Sequence, residues 1–220
     1  MALELWMVSG SPYAWRVLLA MELKKLTYQT HVLSFSDGSL KSPEYLKLNP
    51  RGKVPTLRDG DFVAYESLGI LAYLDRKYPA PPIFGETPEE AALVWRIVSE
   101  YTAYLDPAVE ELILPIYFGR TDQHGDAIRR AAETIRTEVQ RFEDSLAGGA
   151  KWLAGDRISA ADLTVFPAMQ SIQRASSKEN AKPFELGWLP IADRWPKIAA
   201  WMKRIEALPG YERTYPPHWR

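Results

Sequence analysis

Ser11 lies where a short apolar segment turns into a helix. Residues 3–8 are typical of a strand, and Gly10 and Pro12 mark the turn that follows. Apolar residues then recur at helical spacing, at Ala14, Val17, Leu18 and Met21. The unpaired N–H groups and the dipole of a helix N-terminus favour an anion by roughly 0.3–1 kcal/mol. Such a helix start favours any anion, including a thiolate, and a Ser11 hydroxyl that donated one more hydrogen bond to that anion would make it a site. The pattern alone is common, and plain helix capping by Ser11 explains it equally well.

The chain of 220 residues contains no cysteine. Disulfides, thiolate metal sites and a cysteine nucleophile are therefore excluded, and any thiol chemistry needs a thiol from outside. The three histidines, His31, His124 and His218, lack the spacing of metal ligands, so we expect no metal.

Charge and hydropathy argue against two classes of partner. The 27 basic and 28 acidic residues leave a formal net charge of −1, without the basic excess typical of proteins that bind nucleic acid or anionic membranes. No apolar run approaches the ~20 residues of a membrane span, and residues 1–10 do not resemble a signal peptide. We expect a cytoplasmic protein with no nucleic-acid or membrane partner.

The first part of the chain alternates between strands and helices. After the first helix, the patterns predict a strand at 28–33, a helix at 43–48 and a strand that begins at Val54. Asp59-Gly60 is a hairpin signal that leads into a strand at 62–65, and Ser67 is expected to cap the next helix. A strand–helix–strand unit favours parallel pairing and a hairpin antiparallel pairing, so this order predicts a mixed α/β sheet.

A proline-rich stretch separates this part from a helical remainder. Residues 79–88 hold four prolines and a glycine, which is typical of a linker. Helical patterns follow at 89–118, 126–146 and 196–208, and the first of them is expected to bend near Asp106-Pro107. A further helix is expected after the capping box formed by Ser159 to Asp162. The sequence predicts an α/β domain at 1–79, a linker at 80–88 and an all-helical domain at 89–220.

Four motifs in this order resemble the glutathione transferase family over essentially the whole chain. They are residues 11–17 (SPYAWRV), 49–57 (NPRGKVPTL), 65–67 (YES) and 159–163 (SAADL). The resemblance is to cytosolic members with a serine at the site, with no subfamily assigned. It implies a thioredoxin-like N-terminal domain, an all-helical C-terminal domain, a homodimer and a role in detoxification.

The resemblance also implies a site for glutathione as co-substrate. Ser11 would be the catalytic residue, stabilising the glutathione thiolate without becoming a nucleophile itself. The Val54-Pro55 bond would be cis, and its backbone would pair with the cysteinyl part of glutathione. The residues implied to bind glutathione are Lys53, Val54, Pro55, Glu66 and Ser67, with Ser67 on the γ-glutamyl carboxylate, Glu66 on the ammonium and Lys53 on the glycine carboxylate. An apolar electrophile is expected between the domains, near Tyr13 and Tyr104.

Simpler interpretations exist for several of these residues. Serine is a favoured helix cap, so Ser11 could serve only that purpose, and Ser9 is a rival for the thiolate. Lys53 could be a solvated lysine, and Arg16 could form a structural ion pair instead of contacting a ligand. Asp162 is assigned to helix capping, because its spacing from Ser159 accounts for it.

Two other functions compete with conjugation of glutathione to an electrophile. Trp15-Arg16-Val17 also resembles glutathione-dependent isomerases of the maleylacetoacetate type, but the preceding residues Ser11-Pro12-Tyr13-Ala14 depart from the Ser-Ser-Cys-Ser of that subfamily. A non-catalytic binding module could reuse the same fold. A thiol reductase is disfavoured, because Ser11 and Ala14 stand where a redox Cys-x-x-Cys would be.

Overall fold

A computed structural model describes residues 3–220 of the chain. These residues form two compact units, one of residues 3–83 together with Ala207–Arg220, the other of Phe84–Glu206. No helix among the described residues has the length and apolar character needed to cross a membrane.

The first unit contains a four-stranded mixed sheet. Its strands are β1 (Leu3–Val8), β2 (Tyr28–Leu33), β3 (Thr56–Asp59) and β4 (Phe62–Tyr65). In the order β2-β1-β3-β4, the first pair is parallel and the other two pairs are antiparallel. This confirms the mixed sheet and the Asp59-Gly60 hairpin. β3 begins at Thr56 and not at Val54, because Pro55 has no N–H to donate to a neighbouring strand.

Three helices belong to this unit. They are α1 (Pro12–Leu23), α2 (Pro43–Leu48) and α3 (Ser67–Lys77). Each begins within one residue of its predicted start, and α2 also ends where predicted. Leu5 and Leu57, which pair across β1 and β3, are fully buried, as are Val17 of α1 and Ile70 of α3. Val8 instead packs in a separate cluster with Tyr45 of α2, as expected where side chains alternate between the faces of a strand.

A buried lysine connects the ends of α1 and α3. The Nζ atom of Lys24 donates to Asp75 Oδ1 at 2.9 Å and to the carbonyl oxygens of Tyr78 at 2.8 Å and Pro81 at 2.6 Å. The same Asp75 oxygen accepts from the backbone N–H of Ile83 at 2.9 Å. Because all three ammonium donors have acceptors, this charge is tolerated in the interior and holds the proline-rich segment beside α3.

The C-terminal tail packs on α1. After α9 (Tyr211–Thr214), a short 3₁₀ turn spans Pro217–Trp219. The buried ring of Trp15 lies 5.8 Å from that of Tyr215 and 5.5 Å from that of Trp219, and its Nε1 donates to Thr214 Oγ1 at 2.9 Å. Residues 207–220 therefore group with the first unit, whereas the sequence placed them with the helical domain. The domain limits at 79 and 88 stay a prediction.

The second unit is helical, as predicted. Its helices are α4 (Pro88–Glu100), α5 (Asp106–Tyr117), α6 (Gly125–Ala147), α7 (Ala160–Ser176) and α8 (Pro196–Glu206). A π-helical turn, Tyr101–Leu105, joins α4 to α5 at the place where a bend was predicted. Such single turns leave the chain helical while changing the hydrogen-bond pattern, so Pro107 fits near the start of a new helix.

The predicted capping box is present at the start of α7, and its aspartate also accepts hydrogen bonds from outside that helix. Asp162 is fully buried and accepts from the backbone N–H and the hydroxyl of Ser159, at 2.9 and 3.0 Å. It also accepts from the backbone N–H of Leu153 at 2.9 Å and from Nε1 of Trp201 in α8 at 2.8 Å. Burial raises the pKa of this carboxyl, and the four donors oppose that rise. One side chain thus connects α7, the preceding loop and α8.

We expect Asp162→Ala to lower the free energy of unfolding by about 3 kcal/mol or more, because it leaves buried donors without an acceptor. Urea unfolding followed by tryptophan fluorescence measures the change. Asp156→Ala, in the same unit but exposed, is the control, with an expected change within about 0.5 kcal/mol. Equal effects of the two substitutions would contradict the structural role of Asp162.

Candidate functional site

Ser11 caps α1 and remains able to donate a hydrogen bond. Its backbone is extended, and its hydroxyl accepts from the N–H of Ala14 at 3.4 Å. Pro12 occupies the first helical position, where a missing N–H costs nothing. Accepting one bond leaves the hydroxyl proton for donation to another group. Capping and thiolate stabilisation are therefore compatible at Ser11, which is 8% exposed.

The beginning of α3 differs from the prediction. Ser67 was expected to cap this helix, but it is the first helical residue, and the capping position belongs to Glu66, whose side chain makes no capping bond. Glu66 has φ 67° and ψ 109°, because the chain must pass from β4 to α3 within one residue. A non-glycine residue in this region is strained, and such strain clusters at functional sites. The Ser67 hydroxyl is thereby released from capping.

Arg16 connects the beginnings of α1 and α3. It is buried, and its Nη1 donates to the Ser67 Oγ at 3.4 Å. Its guanidinium also lies 5.0 Å from the centre of the Tyr13 ring. A buried cation beside a helix N-terminus adds to the preference for an anion at Ser67. This contact places Arg16 beside a residue predicted to bind glutathione, and the role of Arg16 toward a ligand stays a prediction.

The loop before β3 is held by a closed set of hydrogen bonds. The Tyr45 hydroxyl and the Asn49 amide donate to the carbonyl oxygen of Lys53, at 2.5 and 2.7 Å. The same amide also donates to Thr56 Oγ1 at 3.1 Å, and that oxygen lies 2.9 Å from the Tyr45 hydroxyl. The Lys53 carbonyl is thus directed inward while its side chain is exposed. Burial raises the pKa of Tyr45, which keeps its hydroxyl protonated as a donor.

The Val54-Pro55 peptide bond is cis, as the resemblance implies. Val54 precedes the first residue of β3 that pairs with β1 and β4, so its backbone stands outside the sheet ladder. Its N–H and C=O groups are placed at the end of the sheet where a peptide could pair with them.

Glu66 has a partner that the sequence did not predict. Its carboxylate lies 3.5 Å from Nε of Arg51, and both side chains are more than half exposed, 69% and 66%. The pair is therefore worth at most about 1 kcal/mol and can rearrange. Arg51 is part of the NPRGKVP motif, but no spacing rule connects it to a residue 15 positions away.

The tail reaches the loop that carries Ser11. His218 Nδ1 lies 3.2 Å from the Ser9 hydroxyl, and a Cβ atom at Gly10 would lie 3.1 Å from the Trp219 ring. Gly10 also has φ +85°, so a glycine is needed there for both conformation and space. Ser9 is thus paired with the tail, whereas Ser11 faces the N–H groups of α1.

The two residues predicted to contact an electrophile lie in different units. Tyr13 is half-buried beside Arg16 in the first unit. Tyr104 belongs to the π-helical turn of the second unit and is 60% exposed. Both side chains are accessible, and their role stays a prediction. Among residues 3–220, no group of three or more potential metal ligands comes together.

Comparison with known proteins identifies the family. The model described as glutathione S-transferase, N-terminal domain, matches residues 10–77, and that of the C-terminal domain matches residues 105–209. Glutathione S-transferase 1 of Zea mays is 30% identical over 213 residues, which cover 93% of this chain and 93% of that protein. The chain belongs to the glutathione S-transferase family. Membership favours the enzymatic interpretation over the non-catalytic module.

Solved transferase structures share the fold. A glutathione S-transferase from the Antarctic clam Laternula elliptica superposes with a TM-score of 0.83 at 29% identity, covering 100% of this chain and 94% of that one. The structure of glutathione S-transferase-I bound with the ligand lactoylglutathione superposes with a TM-score of 0.77 at 28% identity. The match covers 97% of this chain and 98% of that one. These likenesses confirm a thioredoxin-like domain followed by a helical domain. The roles predicted for individual residues of this transferase stay predictions.

We expect Asn49→Ala to raise the KM for glutathione and to lower the free energy of unfolding by about 2 kcal/mol. The substitution removes a donor to the Lys53 carbonyl and the acceptor of the Arg51 N–H, so the loop loses its fixed geometry. Steady-state kinetics at varied glutathione and urea unfolding measure both effects.

The control is Asn180→Ala in the second unit, where the amide donates to the Ile116 carbonyl at 2.8 Å. It should destabilise the protein without raising this KM. A rise of the same size in both variants would show that loss of stability alone causes the kinetic effect.

Proposed function

We propose that this glutathione transferase stabilises the thiolate of glutathione with the Ser11 hydroxyl and directs it at an apolar electrophile. The observation that carries the proposal is the position of Ser11 as the cap of α1, with a proton left to donate. A cysteine thiol has a pKa of about 8.5, so only a small fraction is ionised at neutral pH. A hydroxyl donor and a helix N-terminus both favour the thiolate and lower that pKa.

The reaction needs no covalent enzyme intermediate. The thiolate lone pair forms a bond to the electrophilic carbon, and the displaced electron pair leaves with a departing group or moves to a conjugated carbonyl, which then takes a proton from water. Ser11 retains its proton throughout. His218 is the histidine that reaches this loop, and its ring forms a hydrogen bond with Ser9. Because a nucleophilic serine needs a base beside it, this contact supports a role for Ser11 as hydrogen-bond donor.

The glutathione peptide would bind at the beginning of α3 and along the loop before β3. We propose that Ser67, which accepts a hydrogen bond from Arg16, binds the γ-glutamyl carboxylate. Glu66 would bind the ammonium group, either while keeping its ion pair with Arg51 or after giving it up. The backbone of Val54, ahead of Pro55, would pair with the cysteinyl residue, and Lys53 would meet the glycine carboxylate. Support comes from the buried Arg16 cation, the uncapped α3 N-terminus and the exposed Lys53 side chain. The lactoylglutathione bound in a similar structure is consistent with this ligand class.

We also propose a cytoplasmic homodimer that acts in detoxification. Exposed apolar side chains that a second copy could cover occur on β4, where Phe62 and Tyr65 are 48% and 38% exposed, and on α4, where Leu93 and Trp95 are each 44% exposed. Within each pair the two side chains point in different directions, so the proposal of a dimer rests on the family resemblance.

Ser11→Ala tests the catalytic proposal. We expect kcat/KM for conjugation of glutathione to a nitroaryl chloride to fall about 10- to 100-fold, since a hydrogen bond to a charged group is worth about 1.5–3 kcal/mol. The pKa of the bound glutathione thiol, followed by ultraviolet thiolate absorbance across a pH series, should rise by about one to two units. Loss of the cap should lower the free energy of unfolding by only about 1 kcal/mol.

Ser9→Ala is the matched control, two residues away on the same loop, and should retain conjugation activity. Unchanged turnover in Ser11→Ala, or a larger loss in Ser9→Ala, would remove Ser11 from the mechanism.

A further inference from the structure

Arg51 reaches Glu66 from a loop with a fixed backbone. The Arg51 N–H donates to Asn49 Oδ1 at 3.1 Å, and the Arg51 carbonyl oxygen accepts from Lys41 Nζ at 3.4 Å. The next residue, Gly52, has φ +59°, and a Cβ atom there would lie 2.7 Å from a backbone oxygen. These contacts limit the path of the chain, so the Arg51 side chain starts from a defined position. From there its Nε lies 3.5 Å from Glu66 Oε1.

The Glu66 carboxylate faces solvent at the beginning of α3. Glu66 is the single residue between β4 and α3, it has φ 67°, and its side chain is 69% exposed. It is the acidic member of the set assigned to glutathione, in which Lys53 is a cation. An exposed ion pair is weak, so another cation can replace Arg51. The pair with Arg51 therefore neutralises this carboxylate and leaves it accessible to a ligand.

Glutathione would bring a second cation to the same carboxylate. Its γ-glutamyl end carries an ammonium group and a carboxylate group on one carbon atom. With that carboxylate at Ser67, the ammonium lies beside the preceding residue, Glu66, at a high effective concentration. Two cations a few ångströms apart repel each other about as strongly as an exposed ion pair attracts. The ammonium and the Arg51 guanidinium therefore compete for Glu66.

Given the glutathione site proposed above, we propose that Arg51 is a specificity-determining residue, an internal counter-ion of Glu66 that competes with the amino group of the ligand. The competition weakens the binding of glutathione, which brings an ammonium group. It strengthens the binding of a γ-glutamyl-like thiol that lacks the amino group, because Arg51 then keeps Glu66 from repelling an anion. The site thus accepts deaminated thiol peptides as well as glutathione.

The test compares glutathione with its deamino analogue, glutaryl-cysteinylglycine, by titration calorimetry of the full-length protein at about 0.02 M salt. The measured quantity is the Kd of the analogue divided by the Kd of glutathione, because loss of a positive charge weakens the binding of both anions at long range. In Arg51→Gln this ratio should rise about three- to ten-fold, since the competitor of the ammonium is lost and Glu66 repels the analogue. At about 0.5 M salt, which screens exposed charges, the rise should shrink to less than about two-fold.

Three further variants separate the interaction with Glu66 from a general effect of charge. Arg51→Lys keeps the positive charge and should leave the ratio within about two-fold of the wild-type value. Arg76→Gln removes an exposed arginine from the last turn of α3, about 15 Å along the helix from Glu66, and should also leave the ratio unchanged. In the Glu66→Gln background, Arg51→Gln should no longer change the ratio, because the carboxylate for which the two cations compete is gone.

A ratio that stays the same in Arg51→Gln, while the wild type binds glutathione, would overturn the role of Arg51 and leave the proposed glutathione site intact. Equal changes in Arg51→Gln and Arg76→Gln would also overturn that role, since they would show a long-range effect of net charge. Failure of the wild type to bind either ligand would overturn the glutathione site itself, and the role of Arg51 with it.

Discussion

A buried guanidinium joins the two helix N-termini on which the candidate site depends. Arg16 lies inside the first unit and donates to the Ser67 hydroxyl, so a positive charge stands where α3 begins. Removing such a charge from water costs several kcal/mol unless hydrogen bonds or an anion compensate for it. The hydrogen bond from Arg16 positions the Ser67 hydroxyl at the beginning of α3. The N-termini of α1 and α3 each favour an anion as well, because each presents unpaired N–H groups.

The backbone near Arg16 is fixed by one strained residue, Glu66, and by hydrogen bonds in the loop before β3. Glu66 has a positive φ, which releases the Ser67 hydroxyl from capping and turns the Glu66 carboxylate toward solvent and Arg51. In the loop before β3, Tyr45 and Asn49 direct the Lys53 carbonyl inward. These contacts fix the conformation of the loop before β3, while the exposed Glu66–Arg51 pair can rearrange.

The tail gives this unit a wall that the α/β elements lack. Trp15 anchors it through Thr214 and three aromatic rings, and Trp219 closes over Gly10. Different faces of α1 contact different elements: residue 16 faces the beginning of α3, and residues 15 and 18 face the tail. Ser11 stands at the N-terminus where the two sides meet.

The sequence by itself determined the features that depend on residues close together in the chain. Strand and helix limits, the Ser11 cap, the Asp59-Gly60 hairpin and the Ser159–Asp162 capping box are set by residues a few positions apart, whose spacing is visible in the chain. The motifs likewise pointed to the family and hence to the two-domain fold. Ser67 as a cap was wrong, because the strand before it leaves a single residue for the turn and shifts the helix start.

Only the tertiary structure decided which distant residues meet. Arg16 and Ser67 are 51 positions apart, Trp15 and Thr214 are 199 apart, and Glu143 of α6 accepts from the first N–H groups of α8 across 54 and 55 positions. No periodicity connects such pairs, since they come together through packing of whole elements. The position of the C-terminal tail belongs to the same class, because only the tertiary structure shows that residues 207–220 fold back onto α1.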